Sequence, residues 1–209
     1  MLVPELTVVN PSKASKLLEA FGFAPDAGLM RLGSQALRLV AGAPAGHGRI
    51  DHIALTVPDM DKAVDALTAQ GIAFADVTPR GAEFIAEFWD AGLRFVYFSG
   101  PEGARIELCQ RIAGAAPDTG HDHIGIPCHD LAAIQAFFEA QGARQTTAVD
   151  LARPEGMIPV RFLSFQGGVI ELFQPPRADR TAPGFWSRLL IPGLAAPVEG
   201  PEGLTLAPL

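Results

Sequence analysis

Residues 51–71 (DHIALTVPDMDKAVDALTAQG) and 122–142 (DHIGIPCHDLAAIQAFFEAQG) align without a gap at an offset of 71, and seven of the 21 positions are identical. A repeat of this kind restricts a chain to folds built by pairing or stacking one supersecondary unit. Each copy opens with a short strand-like run, 52–57 or 123–128, leading to an aspartate, Asp59 or Asp130, placed to cap a helix. Apolar residues then recur at spacings of three and four: Met60, Val64 and Leu67, or Leu131, Ile134 and Phe138. Gly71 and Gly142 supply the left-handed residue that ends a helix.

Downstream, LRFVYFSGPEGARIELCQ (93–110) matches VRFLSFQGGVIELFQ (160–174) with a shorter turn in the second copy. Each reads as two strands joined by a glycine-containing turn. Residues 72–77 and 143–148 each allow one more strand. The unit is therefore β-α-β-β-β, present at 50–112 and again at 121–176. The expected fold class is α+β, with the paired modules forming a cupped mixed sheet.

A weaker copy precedes them. A shift of 49 places Asn10 under Asp59, Ala14 under Ala63, Leu18 under Leu67 and Gly22 under Gly71. Residues 1–46 then form a degenerate module, with Val3 at the histidine position and Arg38 at the glutamate position. Residues 177–209 read as a Pro/Gly-rich tail, pinned by the apolar run FWSRLLI (185–191) to its own domain or to a neighbouring subunit.

Composition excludes several function classes. A net charge of −7 speaks against a nucleic-acid partner, whose phosphates call for dense Lys and Arg. No apolar stretch approaches the roughly 20 residues of a membrane span, and residues 1–10 lack the basic start and apolar run of a signal peptide. The two cysteines, Cys109 and Cys128, are too few for a disulfide scaffold and fit a reducing compartment, so a cytoplasmic protein is expected.

Alternation on strands puts Ile106 and Leu108 on one face and Glu107 on the other, and likewise Ile170 and Leu172 opposite Glu171. An acid flanked by isoleucine and leucine is a poor choice for a purely structural strand, but a sensible one if a cation neutralises it. With His52 and His123 the two glutamates make a set of one imidazole and one carboxylate per repeat, suited to one divalent ion: Zn, Ni, Co, Mn or Fe. His121 lies two residues from His123 and is a rival ligand, though the first copy has Ile50 there; His129 and His47 read as solvated junction and linker residues. Cys109 is read as a pocket-wall residue, and Arg94 and Arg161 as anchors for an acidic substrate or as solvated edge charges. Residues 82–89 (AEFIAEFW) are an insertion that would form a lid or pocket wall.

DHIAL…ARIELCQ and DHIGI…GVIELFQ resemble the first and last strands of the modules of the vicinal-oxygen-chelate superfamily. The order His52–Glu107–His123–Glu171 is most similar to that of glyoxalase-I-like proteins. The resemblance covers 50–175. It implies one metal held by those four residues, a small chelating substrate, and proton transfer α to a carbonyl, with Glu171 as the base and Glu107 as a second acid/base. Two alternatives stand beside it: an Fe(II) extradiol-type dioxygenase using His52, His123 and Glu171, and a non-catalytic, resistance-type binding protein. A homodimer is expected, because the extra half-module would leave a sheet edge seeking cover.

Overall fold

A computed structural model describes residues 1–114, 118–176 and 184–209. The elements run β1 (Val3–Val8), α1 (Pro11–Ala20), β2 (Ala24–Asp26), β3 (Leu29–Leu32), β4 (Gln35–Ala41), β5 (His52–Thr56), α2 (Met60–Ala69), β6 (Glu83–Ile85), β7 (Leu93–Ser99), β8 (Arg105–Arg111), β9 (Gly120–Pro127), α3 (Leu131–Ala140), β10 (Arg144–Arg153), β11 (Gly156–Phe165), β12 (Gly168–Phe173), β13 (Trp186–Ile191), β14 (Val198–Glu199) and β15 (Thr205–Pro208). The class is α+β, with two curled mixed sheets and three α-helices among the described residues.

The helices begin where side chains can satisfy their first N–H groups. Asn10, Asp59 and Asp130 accept from Lys13, Lys62 and Ala133 at 3.0–3.1 Å. They stop at Gly22, Gly71 and Gly142, whose φ values of 91°, 77° and 94° are left-handed. Met60 and Leu67 of α2, and Leu131, Ile134 and Phe138 of α3, are the buried residues of their helices.

One sheet has eight strands in the order β10-β11-β12-β9-β5-β8-β7-β6. At its centre β5 and β9 are antiparallel, and each is flanked by a parallel partner, β8 and β12. The other has seven strands, β14-β15-β13-β1-β4-β3-β2, and repeats the pattern: β1 and β13 are antiparallel, with β4 parallel to β1 and β15 parallel to β13. One continuous core lies between the sheets and helices. It takes Ile53, Ile106, Ile124 and Ile170 from the first sheet, Leu6, Leu37 and Leu189 from the second, and Leu18, Leu67 and Phe138 from the helices.

Two parts differ from the sequence reading. Residues 186–208, read as an extended tail, supply three strands; the part of that tail at 177–183 lies outside the described residues. β13 pairs with β1 and so covers one edge of the N-terminal module. The segment 72–77, expected as a strand, makes only an isolated bridge, Phe74 to Phe98, and the same edge of β7 is shared with β6. Its counterpart β10 runs unbroken for ten residues, so residues 76–82 interrupt in the first module what is continuous in the second.

Candidate metal centre

The register of the eight-stranded sheet brings the four expected ligands into two rows. In one, Ala54 of β5 pairs with Glu107 of β8 on one side and His123 of β9 on the other. In the second, Gly125 of β9 pairs with His52 on β5 and Glu171 on β12. Each row is a histidine and a glutamate separated by a small residue. The smallness is a requirement on one side: a Cβ on Gly125 would sit 1.9 Å from Cε1 of His52.

All four side chains are buried or nearly so. His52 Nε2 lies 3.2 Å from His123 Nε2 and 3.0 Å from Glu107 Oε2, and His123 Nε2 lies 3.2 Å from the same oxygen. Glu171 Oε2 is looser, 3.8 Å from His52 Nε2 and 3.4 Å from His123 Nε2. Donor atoms each about 2.1 Å from one ion lie about 3.0 Å apart at right angles and about 3.4 Å apart at the tetrahedral angle. The separations among His52, His123 and Glu107, 3.0–3.2 Å, fall in that range, whereas Glu171 reaches it only from His123 and, among the described residues, belongs to neither group of side chains close enough together to hold one ion.

The outer nitrogens set the polarity of the cluster. His52 Nδ1 lies 3.1 Å from Asp51 Oδ2 and His123 Nδ1 2.9 Å from Asp122 Oδ1, so each ring donates outward and turns the Nε2 lone pair inward. Asp51 also accepts from Arg105 Nη1 at 2.7 Å, and Arg105 is held in turn by Asp76. Two inward nitrogens facing two carboxylates repel unless something positive, a proton or a metal ion, lies between them. Glu107 Oε2 is buried with no well-directed hydrogen bond to satisfy it. Burial pushes the Glu107 carboxyl up, but the adjacent His123 and His52 rings outweigh this and hold it well below the usual range. Burial likewise disfavours a charged His123, yet Glu171, Asp122 and Glu107 hold its pKa well above 6.5. Among the described residues, each group that could hold an ion, His52–Glu107–His123 or Cys109–Asp122–His123, includes His123. The residues present fit a divalent metal.

Tyr97, opposite Glu107 across β7 and β8, brings its hydroxyl to 3.4 Å from His52 Nε2. Burial and the charges of Glu107 and Glu171 raise its pKa well above 10, so it keeps its proton. Neither Tyr97 nor the two aspartates was singled out from the sequence. The Asp-His-Ile triplet in both repeats was the available signal for the aspartates.

His121 is not in the cluster. A bulge places Asp122 between residues paired to Ala54 and Leu55, which breaks the alternation that put His121 on the face of His123. Its ring lies 2.7 Å from Gln35 Oε1 and accepts the N–H of Val169 at 2.8 Å, and burial pushes its pKa down to about 4. His129 is exposed, and the His47 ring packs 5.4 Å from Phe185. Cys109 is buried beside Ala54, Phe88 and Phe162, and burial raises its thiol well above the usual value. Arg94 pairs with Asp61 at 2.6 Å and Arg161 with Asp150 at 2.9 Å, both on the surface.

A cavity of about 150 Å³ opens on Glu107, His123 and Glu171. The 82–89 insertion helps to wall it, through Ile85 and Phe88. Phe88 and Trp89 pack on Phe162, with ring centroids 5.3 Å away in each case, and Glu87 of the insertion pairs with Arg153 at 3.1 Å.

The seven-stranded sheet repeats both rows without the chemistry. Leu190 stands between Ala207 and Val3 as Ala54 does between Glu107 and His123. Glu5 stands between Arg38 and Arg188 as Gly125 does between Glu171 and His52, and Glu5 is ion-paired with Arg188 at 2.7 Å. None of the four equivalent residues is a metal ligand.

No protein-family model matches the sequence, and no curated protein does. Solved structures do match. A variant of glyoxalase I from Zea mays superposes with a TM-score of 0.73 at 15% identity, over 99% of this chain and 90% of that one. Zea mays glyoxalase I gives 0.62 at 18% identity, over 83% and 66%. A dioxygenase candidate from Bacillus subtilis gives 0.54 at 17%, over 84% and 64%. At these identities the likeness is one of fold, and in the first case it extends over both sheets. The chain therefore has the vicinal-oxygen-chelate fold, in the paired two-sheet form that it shares with the plant glyoxalase I.

Proposed function

We propose that the chain is a divalent-metal-dependent lyase or isomerase of glyoxalase-I type, moving a proton α to a carbonyl in a small substrate. The observation that carries this reading is the convergence of His52 Nε2, His123 Nε2 and Glu107 Oε2 within 3.0–3.2 Å, with Glu171 Oε2 3.4–3.8 Å from the two nitrogens and both imidazoles aimed by aspartates. His52, His123, Glu107 and Glu171 would hold the ion, which supplies Lewis-acid polarisation of the substrate carbonyl. Glu107, seated nearly equidistant from both imidazoles, is the firmer ligand and the second acid/base. Glu171 is the looser carboxylate and lines the cavity, which leaves it free to take the α-proton and return it. Tyr97 keeps a proton to donate beside them. The buried free thiols Cys109 and Cys128 suit a cytoplasmic setting.

The position of Glu107 speaks against the extradiol-type oxygenase, which needs only the two histidines and Glu171. Oxygen uptake with a catechol under ferrous loading would reverse that preference. The direct test is metal analysis of protein purified without chelators, followed by isomerase assays with the metal found. Glu171→Gln is expected to lower kcat at least about 100-fold while metal content stays. Glu107→Gln is expected to lose turnover and also weaken metal binding. Full activity in Glu171→Gln would sink the assignment.

A further inference from the structure

The walls of the cavity constrain what can enter it. Nine of its twelve lining residues are not proposed ligands, and all nine are aliphatic or aromatic, among them Phe95, Leu151, Ile158, Val160 and Phe173. None is lysine or arginine. Cations around the insertion are already engaged: Arg153 with Glu87, Arg111 stacked 4.3 Å above the Trp89 ring, and Arg94, paired with Phe84 across the strands, with Asp61. An anionic tail seated against these walls, away from the metal centre and the Tyr97 hydroxyl beside it, would lose water and find no cation. The space is also small. At about 150 Å³ it holds the equivalent of about five waters and lies below the roughly 300 Å³ at which drug-sized ligand sites begin.

Resting on the metal-centre reading, we propose that the substrate is a compact, uncharged molecule: two neighbouring oxygens at the centre, and a single apolar group of about the size of one ring against Phe95, Ile158, Val160 and Phe173. The same walls offer no cation to a phosphate or a carboxylate seated among them. The lid closes over the apolar group through Phe88, which is why the insertion presents aromatic rather than polar residues to the interior.

The test holds the chelating head constant and varies the tail. Cobalt-loaded protein, with its cobalt content fixed by equilibrium dialysis, is titrated with acetohydroxamate, benzohydroxamate and benzohydroxamate bearing a para-carboxylate. Benzohydroxamate is expected to bind at least tenfold more tightly than either of the others. Ile158→Lys, at a half-exposed wall position, is expected to raise the affinity of the carboxylated probe above that of the neutral one. Equal affinities, or tightest binding of the carboxylated probe to the unaltered protein, would overturn the substrate class while leaving the metal centre standing. Failure to bind cobalt would overturn the metal centre, and the substrate class with it.

Discussion

Asp122 Oδ1 receives the Nδ1–H of His123, while Asp122 Oδ2 is buried without a hydrogen bond, with Arg111 Nη2 3.8 Å away. The aspartate touches no inward donor atom, yet it fixes the tautomer and basicity of one that matters. Asp122→Asn is expected to leave the fold intact and to lower metal affinity ten- to a hundredfold, read by competition with a chromophoric chelator. Unchanged affinity would show that the pair is only structural. At this scale the sequence is legible where a residue recurs. His52 and His123 stand out because the repeat is gapless, and Glu107 and Glu171 because each sits between aliphatic neighbours. Tyr97 was hidden because its counterpart on β11 is Phe162, so no repetition marked it. Gly125 was hidden for a different reason: its role depends on a ring arriving from another strand.

Helices and their ends were readable because capping is local. An Asn or Asp before an apolar-periodic run, and a glycine after it, are chemistry within one segment. Strand irregularities were not, because they depend on the partner. The bulge at Asp122 is one case, and it redirects His121 from the centre to a tie between β4 and β12. His121→Ala leaves the Val169 N–H without its acceptor and is expected to cost about 1–3 kcal/mol of stability, measured by denaturant unfolding of metal-free protein. Metal stoichiometry is expected to stay the same; a lost metal would return His121 to the ligand set. The strands of 186–208 were obscured by proline and glycine, which read as a tail because no helix separates β13 from β15 to signal a module.

Across the whole molecule the two sheets brace one another through a repeated turn. GPEG occurs at 100–103 and again at 200–203, and Glu102 and Glu202 both adopt a left-handed φ of 56°. Glu102 accepts the N–H groups of Val9 and Asn10 at the start of α1, and Glu202 those of His129 and Asp130 at the start of α3. Each turn belongs to one sheet and caps a helix packed with the other. Glu202 is also the partner of the fully buried Arg49, whose guanidinium reaches the Pro127 carbonyl as well. Glu202→Ala strands that charge and is expected to cost about 3–5 kcal/mol, while replacing both residues with apolar ones of similar volume should recover most of it. A thermal melt of the two variants distinguishes this from the loss of an ordinary surface pair, worth at most about 1 kcal/mol. The approximate twofold that relates the modules is broken where it matters: Tyr97 faces Phe162, Cys109 faces Phe173, and the firm Glu107 faces the loose Glu171. An intact twofold would seat one molecule in two equivalent ways and offer either face of a trigonal carbon to the same base. For any reaction there that made or erased a stereocentre, the unlike halves of this cup would favour one enantiomer.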